Sequence, residues 1–181
     1  QSSEISNAVD GTEDTIGAGD QGIVFGYANS ECASMLPLSV DIANRIVALI
    51  EQDVDTNPDT ILKGDAKTQV TIDLDTGLIM DIVVSACHKE SASLEEVRKY
   101  IRRLLHGVAY PDRWHINPAG AWTLGGPTAD CGLTGRKIVS DQYGGAYSVG
   151  GGALSGKDVS KVDRTGTYMA RQIAVDLCKK F

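Results

Sequence analysis

Along residues 38–51 the apolar side chains Leu38, Ile42, Ile46, Leu49 and Ile50 recur every three or four positions, which predicts a helix with one buried face. The polar stretch 52–60 follows, and Asn57-Pro58 within it marks a loop. Val70, Ile72 and Leu74 then alternate with Thr and Asp, Thr76-Gly77 signals a turn, and the more apolar 78–86 predicts a second strand of one hairpin. Residues 93–106 give the clearest helix. Ser93 and Glu96 form an S-x-x-E capping box, and Leu94, Val97, Ile101, Leu104 and Leu105 line one face. Arg98, Lys99, Arg102 and Arg103 take the other face, which reads as solvated because cations suit the last turn of a helix. Strand-like pieces follow at 114–117, 121–124 and 137–140, and a final helix is predicted over 160–179. Residues 1–16 are acidic and poor in aliphatics, and predict a mobile segment. Strands mixed with a few helices predict an α/β chain of the α+β type.

Composition narrows the class. The 181 residues carry 17 Lys+Arg against 24 Asp+Glu, a formal charge of −7, which disfavours a protein that grips nucleic-acid backbone or anionic lipid. No apolar run approaches the roughly 20 residues of a membrane-spanning helix. The acidic start is unlike a signal peptide, so a soluble, cytoplasmic protein is expected. The opening Gln in place of Met suggests processing or a piece of something longer. Cys32, Cys87, Cys131 and Cys178 lie far apart, with no C-x-x-C pair, and are expected as reduced, mostly buried thiols. Glycine changes the picture most. Twelve of the 20 glycines fall between Gly120 and Gly166, a density that demands positive φ or close backbone approach.

Two glycine motifs are decoys. Gly17, Gly19 and Gly22 in GAGDQG fit the dinucleotide pattern G-x-G-x-x-G. That pattern works only after a buried strand, and DGTEDTI cannot be one; Asp20 would also set a negative charge among the phosphate-binding amides. Gly151, Gly156 and Lys157 approach the G-x-x-x-x-G-K-[ST] loop, but Asp158 stands where the magnesium-holding hydroxyl belongs. Phosphate binding survives that objection. Arg136, Lys137, Lys157 and Lys161 on glycine-rich turns, with Asp130, Asp158 and Asp163 interspersed, suit a magnesium-polyphosphate site. Lys157 and Lys161, four apart at a helix start, are expected to project on one side. The competing reading is a solvated charged loop.

GAGDQGIVFGYA (17–28) and GGGALSGKD (150–158) resemble the two signature motifs of the S-adenosylmethionine synthetase family. DAKTQVT (65–71), INPAG, LGGPTADCGLTGRK and SKVDR resemble the family's intervening blocks in the same order. The resemblance implies a methionine adenosyltransferase. Methionine sulfur attacks the ribose 5′ carbon of ATP, and the leaving tripolyphosphate is cleaved to pyrophosphate and phosphate. It implies magnesium and potassium as cofactors. It also implies a homodimer or dimer of dimers with active sites at the subunit interface, built from three similar intertwined α/β domains. Residues 1–16 would be an active-site lid, 17–120 the central domain and 121–181 the start of the C-terminal domain.

Residue by residue, the resemblance makes Gln1, Asp20, Asp130 and Lys161 methionine contacts. It makes Asp65, Lys67, Trp122, Asp130, Arg136, Lys137, Ala153 and Lys157 ATP contacts, and Asp163 a magnesium ligand. Lys157, Arg136, Lys137 and Asp20 would carry the chemistry. The departures are Ala121-Trp122 for the family's Arg-Phe, Val149 for its histidine and Leu154 for its phenylalanine. Trp122 retains a flat aromatic face for adenine. The family's N-terminal block with its H-P-D-K motif, which supplies the ATP histidine, a second magnesium aspartate and the potassium-site glutamate, is not in this sequence. Two other readings fit the same cations and glycines: a non-catalytic nucleotide-binding or subunit-assembly relative, and a magnesium-nucleotide phosphohydrolase.

Overall fold

The computed structural model describes residues 2–9 and 17–181. Its elements run α1 (Ser3–Val9), α2 (Leu38–Thr56), β1 (Leu62–Ile72), β2 (Ile79–His88), α3 (Leu94–Leu104), β3 (Arg113–Ile116) and α4 (Val162–Lys180), with a 3₁₀ turn at Gly126–Thr128. The chain divides into two compact units, Leu38–Gly132 and a second formed by Leu133–Phe181 with the residues up to Pro37.

The Leu38–Gly132 unit is the expected α/β fold. β1 and β2 pair antiparallel, and β3 adds parallel to β2, giving sheet order β1-β2-β3. The hairpin turn forms because Asp73 Oδ1 accepts from the amides of Asp75 and Thr76, while Gly77 takes φ 71°, a conformation that side chains resist. A parallel neighbour needs a crossover, and α3 provides it between β2 and β3. Ser93 caps α3 with the expected reciprocal box: Glu96 N–H donates to Ser93 Oγ, and Glu96 Oε2 accepts from Ser93 N–H at 2.8 Å. The core gathers Ile42, Ile46 and Ile50 of α2, Ile82, Val84 and Ala86 of β2, and Val97 and Ile101 of α3. The period-two burial of β2 and the helical spacing of α2 therefore meet in one interior.

Asn117 closes the β3 end of the sheet. Its φ of 42° stops the strand, and its buried amide takes over the ladder, accepting from Ala86 N–H at 2.9 Å and donating to Ala86 O at 3.0 Å. Arg98 donates to the carbonyls of Ile116 and Asn117. The basic face of α3 is thus solvated only in part. Asp53 ties α2 to its surroundings: burial pushes its carboxyl up, but hydrogen bonds from Thr60, Asn57 and Tyr100 outweigh that and hold it below the usual carboxylate range.

Several local expectations are corrected. β1 begins well before Val70, and Leu74 lies beyond its end and is exposed. Residues 121–124 and 137–140 are not strands: the first hydrogen-bonds to the β2 end at the Trp122 main chain, and the second coils into turns. Residues 3–9 are helical rather than irregular, whereas Gln1 and 10–16, the rest of the expected lid, lie outside the described residues. Cys87 is the only buried thiol; Cys32 and Cys178 are half-buried, and Cys131 sits exposed in its glycine-rich loop. Among the described residues no helix is long and apolar enough to cross a membrane.

The second unit is held differently. Arg171 of α4 donates to the carbonyls of Tyr27, Ser34 and Met35, and Tyr143 OH accepts from Tyr27 N–H at 3.0 Å. Tyr27 stacks on Tyr147 with ring centroids 4.3 Å apart. Gly19 bridges to Lys161 as a single parallel pair. Gly26 lies so close to the Ala170 carbonyl that any Cβ there would collide with it.

Candidate active site

In the second unit, Lys157 Nζ and Asp163 Oδ2 form an ion pair at 2.6 Å, with both side chains largely shielded. Asp163 stands in the first turn of α4, where the helix dipole favours an acid. Lys157 precedes the helix, and Lys161 is its N-cap residue. The two lysines therefore do not share a helical face, contrary to the sequence expectation. Lys161 Nζ reaches Ser160 Oγ at 2.8 Å and Asp158 Oδ2 at 3.5 Å. Asp158 is held below its ordinary range mainly by hydrogen bonds from Ser160.

Asp163, the acid of the pair, lines a cavity of about 550 Å³ together with Gln21, Gly22, Ile23, Phe25, Val149, Gly150, Gly151 and Gly152. Both signature motifs supply walls. The glycines are needed there: a Cβ on Gly152 would strike the Asp163 carboxyl, and one on Gly150 the Ile23 carbonyl. Ala153 lies against Gly135, beside Arg136 in the sequence, with 3.6 Å to the place a Gly135 Cβ would take. Arg136 and Lys137 are exposed, and Lys137 Nζ meets the Arg136 carbonyl at 3.2 Å. Asp20 is exposed beside the Gly19–Lys161 bridge, its Oδ1 accepting from Gln21 N–H at 2.7 Å. Gln1 lies outside the described residues.

The Leu38–Gly132 unit carries the second set. Lys63, Asp65 and Lys67 alternate along β1 on the side opposite the core. Lys63 Nζ donates to the Thr123 carbonyl, and Asp65 Oδ2 accepts from Gly126 N–H at 2.7 Å. These contacts lay residues 122–126 along the strand. A Cβ on Gly125 would stand 3.0 Å from both Asp65 Oδ2 and Cys87 Sγ, so glycine permits the approach. Burial pushes the Cys87 thiol up, which keeps it protonated and inert. Lys67 Nζ lies 5.6 Å from the Trp122 ring centroid, a cation–π arrangement. Asp130 is exposed, and its Oδ1 accepts from Gly132 N–H at 2.9 Å.

Sequence reasoning gave His88 no role. It is buried, and its ring touches the main chain of Trp122. The available signal was a lone histidine closing an apolar strand, in ACHKE, with no partner visible nearby in the sequence.

Magnesium fits this chain only in part. Among the described residues no three His, Cys, Asp or Glu side chains converge as a metal site, and Lys157 already neutralises Asp163. Asp130 and Asp158 serve turns of their own. The carboxylates here do not make up a divalent-cation cage.

The comparisons agree with one another. The family model for the central domain of S-adenosylmethionine synthetase matches residues 15–122, and that for its C-terminal domain matches 124–180. The chain is 42% identical over 191 residues to S-adenosylmethionine synthase 1 of Pinus contorta, covering 98% of this chain and 49% of that protein. It is 45% identical over 187 residues to the synthase of Mycoplasmopsis pulmonis, covering 98% and 50%. A solved structure, described as an unusual S-adenosylmethionine synthetase from Campylobacter jejuni, superposes with TM-score 0.82 at 36% identity, over 93% of this chain and 47% of that one. The chain spans about half the length of the curated relatives it matches. With two family models tiling nearly the whole sequence in order, and the fold of a solved relative reproduced, the chain belongs to the S-adenosylmethionine synthetase family.

Proposed function

We propose that this chain contributes the central and C-terminal parts of a methionine adenosyltransferase, acting on ATP and L-methionine in the cytoplasm. The observation that carries the proposal is Asp163, paired with Lys157, on a cavity walled by both family signature motifs. A sulfur lone pair forms the new bond to the ribose 5′ carbon, the carbon–oxygen bond breaks, and tripolyphosphate departs with the electron pair. The leaving group gains negative charge, so fixed cations at its oxygens lower the barrier. Lys157, Arg136 and Lys137 are assigned that task, and Lys161 and Asp20 are assigned to the amino-acid substrate. Asp65, Lys67, Asp130 and Trp122 are assigned to the nucleotide. Water then cleaves tripolyphosphate to pyrophosphate and phosphate.

Magnesium and potassium belong to the proposal as charge neutralisers for the phosphates. Asp163 offers magnesium one oxygen. A homodimer or dimer of dimers, with active sites at the subunit interface, belongs to the same proposal.

Product analysis tests the reading. S-adenosylmethionine formed from ATP and methionine supports it, and Lys157→Ala is expected to lower that turnover about tenfold or more. Phosphate released from ATP without methionine would point instead to a nucleotide phosphohydrolase. ATP binding without product would point to a non-catalytic binding relative. Unchanged turnover in Lys157→Ala would remove the triphosphate assignment.

A further inference from the structure

Trp122 has three polar groups, and each has a partner. Its indole Nε1–H donates to the Leu124 carbonyl at 2.7 Å. Its main-chain carbonyl accepts from His88 N–H at 2.9 Å, and its main-chain N–H donates to His88 Nε2 at 3.1 Å. One residue thus clasps both sides of the Trp122 main chain. A main-chain N–H can only donate, so Nε2 must be bare and the ring proton must sit on Nδ1. Nδ1 in turn lies 3.0 Å from the Lys89 carbonyl, which can only accept. His88 is 1% exposed, so water does not compete for either nitrogen.

We propose that His88 is a positioning residue for the nucleotide: its neutral, Nδ1-protonated ring fixes the Trp122 main chain and so holds the indole beside Lys67 as a ready-made stacking platform. The inference rests on the reading of Trp122 as the adenine contact. An indole free to swing would have to be ordered when the base arrives, and that ordering is subtracted from affinity. The clasp does the ordering beforehand. The chemistry explains the residue type. The site needs a neutral acceptor at the reach of Nε2 and a donor nearer the main chain, which imidazole supplies and a charged carboxylate or ammonium does not.

The test uses the 181-residue chain with Trp114→Phe, so that Trp122 is the sole tryptophan. Glutamine places an amide oxygen near the Nε2 position, and asparagine places its amide near Nδ1, leaving the Trp122 N–H without a partner. His88→Asn is expected to raise acrylamide quenching of Trp122 about twofold and to weaken ATP binding about fivefold, the scale of one lost hydrogen bond. His88→Gln is expected to restore both. An Asn variant that is folded by circular dichroism and behaves like the Gln variant overturns the proposal. Should the Asn variant not fold, the ¹⁵N shifts of the His88 ring in the unsubstituted chain decide. A bare Nε2 with a protonated Nδ1 supports the clasp, and a protonated Nε2 overturns it. ATP that leaves Trp122 emission unchanged in the Trp114→Phe chain overturns the adenine reading together with the role built on it. ATP that alters the emission equally in all three proteins overturns the positioning role alone.

Discussion

The two units of this chain solve the problem of staying folded by different means. Residues 38–132 bury a continuous apolar cluster drawn from α2, the sheet and α3. In the other unit Pro37, Tyr143 and Thr167 are the only buried residues among those described. There the links are polar: an arginine fan from α4, a tyrosine hydroxyl, one bridge and glycines that admit backbone to backbone. Met169, Ile173 and Leu177 on α4 remain more than half exposed. The core-poor unit is the one that carries the lysine–acid pair and the signature glycines. The proposed phosphate role requires accessible cations and amides, and such groups cannot also form an oily interior.

Point substitutions sharpen the contrast. Ile46 is fully buried, and Ile46→Ala is expected to lower unfolding free energy by about 2–5 kcal/mol, read from urea midpoints. Ile173→Ala, removing the same atoms from a half-exposed site, is expected to stay within about 0.5 kcal/mol. Equal losses would break the comparison. Asn117→Ala comes next, because it strands the amide and carbonyl of Ala86 at a buried strand end. A loss of about 1–3 kcal/mol is expected, with β3 amides exchanging faster by hydrogen–deuterium exchange.

Acid gives the smallest effect. Hydrogen bonds from Arg113 and His115 hold Asp81 at about 2 against an ordinary 3.8, and Asp53 is also held low. Both folded values lie below the unfolded ones, so their stabilisation is present above about pH 4 and fades as pH falls towards about 2. Urea midpoints should drop across that window, and Asp81→Asn should flatten part of the drop. A slope unchanged by Asp81→Asn would remove this pairing from the account of the core unit.

Much of the core unit was legible because its signals are local. The Ser93–Glu96 box, the Thr76-Gly77 turn and the helical spacing of Ile42, Ile46 and Ile50 each act within a few residues, and each formed as expected. The site was legible only as a set of residue types. The sequence could not say that Lys157 meets Asp163 from a turn rather than from the helix. Nor could it say that residues 121–124 find main-chain partners at His88 without becoming a strand.

By itself, then, the sequence determined the α/β class, the type and order of the elements in residues 38–116 and the family, through periodic burial and motifs held in order; their bounds it did not. Only the tertiary structure decided which glycines had to be glycine and what they face. Gly26 meets Ala170 across most of the chain, and Gly152 meets Asp163. It also gave His88 its partners. Such contacts depend on where two distant backbones come to rest, and no local pattern of apolar and polar residues specifies that.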